Sequence, residues 1–327
     1  MWHAIAIRRH VARGLLAVGA LAGSGMSAAA QDYPTRPIRI IVGFTAGGPT
    51  DIPARFLAER LAAALGRPVV VENKPGAGAS LAANEVLSRP REGYDLLLCT
   101  YFDAINTLMY RSIKYRLSEL LGISLIARYS YAVAVANTIP AQTFPELVAY
   151  AKQHPNEVNY GHLGVGSTQM MIAKRLEKLT GMRMTAIPYK GTTEGVQELI
   201  AGRNHVQIGP PIGVVPYYLA RQLKVLAVTG DERLAAIPEV PTLKESGVDV
   251  AVDIAIDVYG SGNAPPALVT RMNAVLLQAI SNADVLSRIL AYGLLPAPSS
   301  ADELAQKQIE ETKLWAAPIK ASGFTGE

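Results

Sequence analysis

The stretch IRIIVGFTAGGPTD, residues 38–51, decides the fold class. Apolar residues dominate 38–44 and read as a buried strand. Gly47, Gly48 and Pro49 then break the chain, and Asp51 opens a segment to residue 65 with helical spacing, with Thr50 as its expected N-cap. The same strand, glycine-rich turn and helix return at PVVVE (68–72), KPGAGA (74–79) and 80–88, and YDLLLCT (94–100) supplies a third strand. That last strand is apolar throughout, as a sheet covered on both faces requires. Strands alternating with helices predict an α/β fold with parallel sheets built from βαβ units.

Moving outward, a long extended segment spans 123–136, and the theme then restarts. Helices are expected over 145–153, 167–179, 193–201 and 214–221. Strands are expected over 158–161, 184–188, 206–209 and 223–229. Proline-punctuated loops follow, then a strand over 253–259 and helical stretches over 266–281, 284–291 and 301–320. The extended segments near 125–136 and 222–231 read as two crossings between lobes. Lobe 1 is then discontinuous, 31–129 plus 231–327, and lobe 2 is the insert 130–230. Two crossings permit bending about a cleft.

The 327 residues exceed one ordinary core and suit two lobes. Half the residues are hydrophobic and 18% are charged, which excludes disorder as a whole. The net charge of +4 comes from 31 Lys and Arg against 27 Asp and Glu. Arg8, Arg9 and Arg13 lie in an acid-free leader; without them the balance is 28 against 27, or +1. No basic stripe remains for nucleic acid. Residues 1–30 read as a signal peptide, with those arginines as n-region and GLLAVGALAG (14–23) as h-region. Small residues at 27–30 place cleavage before Gln31; an uncleaved anchor is the alternative. Arg8-Arg9 hints at twin-arginine export, but the flanking residues favour ordinary secretion. No later run reaches the length of a membrane span, so a soluble mature protein is expected. Cys99, in a strand-like apolar run, has no intrachain partner and reads as a buried thiol.

Three turns share one design: FTAGGPTD (44–51), KPGAGAS (74–80) and GHLGVGST (161–168). Each ends where a helix begins on a hydroxyl residue. The first N–H groups of a helix lack intrahelical partners and carry the positive end of its dipole, and glycine lets a ligand reach the backbone. Their natural guest is an anion, held with Thr50, Ser80, Ser167 or Thr168 hydroxyls; tight turns with N-caps are the plainer alternative. In α/β sheets ligands bind beyond the carboxyl ends of the strands, where these turns lie.

Other chemistries find little support. No Walker loop is present, and Gly164-Val165-Gly166 has Gln169 at the third glycine of a dinucleotide fingerprint. There is no G-x-S-x-G elbow, and His154, His162 and His205 lack metal-ligand spacing, so no cofactor and no metal are expected. His154 reads as a helix-end cap and His205 as a solvated turn residue. His162 either touches ligand or satisfies a neighbouring carbonyl. Asp253 and Asp257 read as a solvated strand face. A hydrolase built on Ser167 has only His162 as a local base, five residues away across a turn, a poor geometry.

These residues resemble a known family. Tyr33-Pro34-Thr35-Arg36-Pro37-Ile38, Gly47-Gly48-Pro49-Thr50-Asp51 and Val70-Val71-Glu72-Asn73-Lys74-Pro75-Gly76-Ala77-Gly78 look like the opening of the Bug-type substrate-binding proteins of tripartite tricarboxylate transporters. Gly93-Tyr94, Gly164-x-Gly166-Ser167, Pro188-Tyr189-Lys190-Gly191, Leu226-Ala227-Val228-Thr229 and Pro238-x-Val240-Pro241-Thr242 extend the resemblance over essentially the whole mature chain. It implies a two-lobed, non-enzymatic periplasmic receptor, a monomer, closing on a small organic carboxylate for membrane permease subunits. A receptor that reports to a signalling protein would share fold and site. Carried over by motif, lobe 1 holds one carboxylate through Phe44, Thr45, Ala46, Gly47, Gly48, Gly78, Ala79 and Ser80, with Thr100 and Tyr101 after the third strand. In lobe 2, Gly166, Ser167 and Thr168 hold the other end, and His162, Tyr189 and Pro210 are further candidates. This chain departs from the family with Gly209-Pro210-Pro211, where an acidic residue and a Phe often follow the strand, and with Gly78-Ala79-Ser80 in place of Gly-Gly-Asn.

Overall fold

The computed structural model describes residues 33–76, 79–90, 92–100, 113–164, 167–262 and 264–321. The expected leader and its cleavage point therefore lie outside the described residues. The chain begins β1 (Ile38–Val42), α1 (Asp51–Leu65), β2 (Val69–Asn73), α2 (Ser80–Leu87), β3 (Asp95–Thr100). β1 lies between β2 and β3 and runs parallel to both, so the turns after all three strands emerge at one edge. All six residues of β3 are buried, as its unbroken apolar pattern requires.

β4 (Leu120–Ser130) and β5 (Ala132–Val135) make the long extended segment, with Tyr131 alone between them. There follow α3 (Phe144–Gln153), β6 (Asn159–His162), α4 (Thr168–Thr180), β7 (Thr185–Pro188), α5 (Thr192–Ile200), β8 (Val206–Gly209), α6 (Pro211–Leu219) and β9 (Lys224–Val228). After the loops of 229–252 come β10 (Asp253–Ser261), α7 (Pro266–Ile280), α8 (Ala283–Ala291), β11 (Leu295–Pro296) and α9 (Ala301–Ala321). One sheet has the order β11-β4-β10-β3-β1-β2 and the other β7-β6-β8-β5-β9. The described residues from Pro37 onward form one compact unit containing both sheets.

Neither sheet is purely parallel, contrary to expectation. β10 is antiparallel to β3 and β4, and β5 is antiparallel to β8 and β9. β11 is also antiparallel to β4, while β5 and β10 are the strands entered directly from the passages between the sheets. They enter without the crossover helix that parallel pairing needs. α6 begins three residues earlier than expected, because Pro211 suits the first helical position, where no N–H is needed.

β10 also overturns the reading of its acids. Asp257 is 1% exposed because its face of the sheet is covered, Tyr259 of the same strand lying in one buried cluster with Leu304 of α9. Tyr259 donates to Asp257 Oδ2 at 3.0 Å, and Oδ1 has no partner among the described residues. Asp253, at the strand's start, instead pairs with Arg128 at 3.1 Å. His205 is likewise engaged: its Nδ1 accepts from the Asn159 amide at 3.1 Å, and its own amide donates to Asn159 Oδ1 at 2.8 Å. His154 does cap α3, with Nδ1 3.0 Å from the Tyr150 carbonyl. Among the described residues no single helix is long and apolar enough to cross a membrane.

Candidate functional site

The first turn is built around Asp51. Its Oδ2 accepts the Gly47 N–H at 2.8 Å, and its Oδ1 accepts from Asn73 at 2.9 Å and Arg55 at 2.9 Å. Burial opposes ionisation, but the hydrogen bonds from Arg55, Gly47 and Asn73 win and hold this carboxyl below its usual range. Asn73 also donates to the Phe44 carbonyl at 3.0 Å, tying β2 to the turn. The Gly47 N–H is thus engaged by the chain's own carboxylate, while Thr45 and Ala46 stand exposed and Gly48 is half-buried. Thr50 occupies the N-cap position, but its hydroxyl makes no cap bond. It is 1% exposed and has no partner among the described residues.

The second turn packs against the first. A Cβ on Gly43 would lie 2.3 Å from that of Ala79, so only glycine permits the approach. Ala79 takes a left-handed conformation, φ 70°, to open α2, and Ser80, its first residue, is buried. Lys74 turns away to pair with Glu85, as its place at the start of the turn suggested. Thr100 ends β3 and is buried. Gly78 and Tyr101 lie outside the described residues.

In the second sheet β6 is parallel to β7 and β8, so His162, Pro188 and Gly209 end at a common edge. Ser167 caps α4, its Oγ accepting the Met170 N–H at 3.5 Å. Thr168 is buried at the first helical position; Gly166 lies outside the described residues. His162 is 4% exposed, and its Nδ1 accepts the Gly164 N–H at 3.1 Å. That bond makes Nε2 the protonated nitrogen of the neutral ring. Its Nδ1 satisfies an amide, where a bond to a carbonyl was the alternative expected. With Nδ1 taken by the Gly164 amide and the proton on Nε2, His162 presents no free lone pair to act as base for Ser167.

Tyr189 follows β7 at the same edge. A Cβ on Gly161 would meet its ring at 3.0 Å and the Gln207 amide oxygen at 2.1 Å. The ring therefore packs on the face carrying α5. Burial, with Glu198 and Glu194 nearby, raises its phenol. Its amide donates to the His162 carbonyl at 2.8 Å, so it braces the loop end through its backbone. Pro210 is buried as the N-cap of α6 and is followed by Pro211. These two residues offer no N–H, so this helix start lacks donors that α4 retains.

Sequence reasoning missed Met171. One turn into α4, it packs against the core cluster of the first sheet, which contains Ala82 and Ala83 of α2 together with Leu97 and Cys99 of β3. Met171 thus links α4 of the second sheet to the core of the first. A methionine at helical spacing carries no mark of which sheet it will meet.

Two sheets, each packed with helices, make the fold of the two-lobed periplasmic binding proteins. Residues 53–324 match the tripartite tricarboxylate transporter family receptor. This chain belongs to that family. It is similar to a UPF0065 protein of Cupriavidus necator, 32% identical over 97% of this chain and 96% of the relative. The solved periplasmic binding protein BugD superposes with a TM-score of 0.82 at 26% identity, covering 90% of this chain and 100% of BugD. A Rhodopseudomonas palustris protein solved with adipate superposes at 0.84 with 28% identity, covering 90% of this chain and 100% of that one.

Proposed function

We propose that this protein is a non-enzymatic periplasmic receptor that captures a small organic carboxylate between its lobes and delivers it to the membrane permease subunits of a tripartite transporter. Export removes residues 1–30, and the mature monomer closes lobe 1 (31–129 plus 231–327) and lobe 2 (130–230) about the two crossings. The observation that carries this reading is the packing of Met171, one turn into α4, against the first sheet's core cluster, which contains Ala82 and Ala83 of α2. The starts of α2 and α4 each offer unpaired N–H groups and the positive end of a helix dipole. Thr45, Ala46 and Gly48 of the first turn, Ala79 and Ser80 of the second, and Ser167 and Thr168 of the third provide the donors. Gly78, Tyr101 and Gly166, which lie outside the described residues, are further proposed ligand contacts, with the Nε2–H of His162 as a further donor. The adipate bound by the similar Rhodopseudomonas protein supports a carboxylate as the guest.

A thermal-shift screen tests this. Ligand-stripped protein is heated with adipate, succinate, malate, citrate, benzoate, their methyl esters and matched amines. Binding adds RT ln(1 + [L]/Kd), about 2.7 kcal/mol at a hundredfold excess over Kd. At least one free carboxylate is expected to raise Tm while its ester does not. Stabilisation by esters or amines alone defeats the reading.

A further inference from the structure

Both passages between the sheets converge on one side chain, that of Thr229. It follows β9 and is fully buried. Its N–H donates to the Tyr131 carbonyl at 2.9 Å, and its hydroxyl oxygen accepts the Tyr131 N–H at 2.8 Å. Tyr131 is the single residue between β4 and β5. The same hydroxyl donates to the Val252 carbonyl at 2.7 Å, and the Thr229 carbonyl accepts the Val252 N–H at 2.7 Å. Val252 leads into β10. Thr229 thus makes four hydrogen bonds, two to each of the segments that carry the chain between sheets. Its hydroxyl serves as donor and acceptor at once, which a valine of the same shape cannot do.

Neighbouring residues leave little slack. A Cβ on Gly230 would lie 3.0 Å from Ser130 Cβ and 3.2 Å from Asp253 Oδ1. Tyr131 and Val252 are themselves buried, so water does not replace a lost partner without the segments parting. Rotation of one sheet's lobe against the other must leave these bonds intact or break them together.

We infer that Thr229 is the hinge pin of this receptor, a positioning residue whose hydroxyl holds the two crossings in register and thereby sets the balance of open and closed forms. This rests on the two-lobed receptor reading above. The apparent affinity of a closing receptor is its intrinsic affinity scaled by the fraction able to close. Loss of the hydroxyl therefore weakens binding without touching a ligand contact.

The test compares Thr229→Val, Thr229→Ala and Thr229→Ser in the full mature chain. Hydrogen exchange and small-angle scattering are measured without ligand, and adipate titration follows. Val and Ala are expected to accelerate exchange at the Tyr131 amide about tenfold, the scale of one buried hydrogen bond. They broaden the ligand-free scattering distribution and raise the apparent Kd for adipate in proportion. Ser, which keeps the hydroxyl, stays near wild type in all three, and the Ala–Ser pair decides if Val does not fold. Accelerated exchange with an unchanged scattering distribution makes Thr229 merely structural and overturns the pin. So does a Ser variant that behaves like Ala. If wild type ignores adipate, the two ligand-free measurements still decide the pin, while the carboxylate screen decides the receptor reading.

Discussion

Asp257 shows how a single residue takes its chemistry from its surroundings. Burial in the central strand pushes its pKa up to about 7, against the Tyr259 hydrogen bond and Lys307, which favour the charge. Glu311, reaching toward it from α9, is also pushed up to about 7, chiefly by burial, despite its ion pair with Lys307. For both groups the folded value exceeds the unfolded one. Their contribution is therefore fully present below about pH 4 and is lost as pH rises through 7. For Asp257 alone the loss between pH 5 and pH 8 is on the order of 3 kcal/mol. Thermal melts should give a higher Tm at pH 5 than at pH 8, and Asp257→Asn should flatten that difference by raising the pH 8 value. A pH dependence unchanged in Asp257→Asn would place the titration elsewhere.

At the scale of elements, α4 depends on Ser167 twice. The hydroxyl caps the helix through the Met170 amide, and it is a donor in the proposed grip. Ser167→Ala should cost about 1 kcal/mol of stability through the lost cap. It should also weaken carboxylate binding beyond what that loss predicts. Replacement by Asp separates the two roles, because it caps equally well but brings a negative charge to the grip. Chemical denaturation should find Ser167→Asp near wild type, and calorimetry should find its carboxylate binding worse than that of Ser167→Ala. Equal binding by all three would remove Ser167 from the site.

For the whole molecule, the question is what limits lobe movement. Gly293 follows α8 of the first sheet's lobe with φ 71°, and a Cβ there would lie 2.9 Å from Pro211 Cβ at the start of α6 in the other. A side chain at 293 meets both backbone strain and Pro211. Saturating carboxylate should reduce the radius of gyration of wild type, as closure requires. Gly293→Ala should contract less and bind more weakly. Full contraction in Gly293→Ala would show that this contact does not limit closure.

Local chemistry made much of this protein legible from its sequence. The apolar run 94–100, the helix of 51–65 and the glycine-rich turns announced strands, helices and loops because periodicity and turn chemistry act over a few residues. The turn-forming role of Gly47 and the cap of Ser167 follow from the same short range. What the sequence left open depends on neighbours distant along the chain. The solvated reading of Asp257 failed because alternation says which residues share a face, and only the packing of α9, through Leu304, on that face says that it is covered. The antiparallel members were hidden because pairing direction is set by where the chain re-enters a sheet, not by composition. Asn73 reaches the Asp51 carboxylate of the first turn only because β2 lies beside β1. Thr229 looked like the end of a strand. Tertiary structure alone gave its hydroxyl two partners, one nearly a hundred residues before it and the other more than twenty after it.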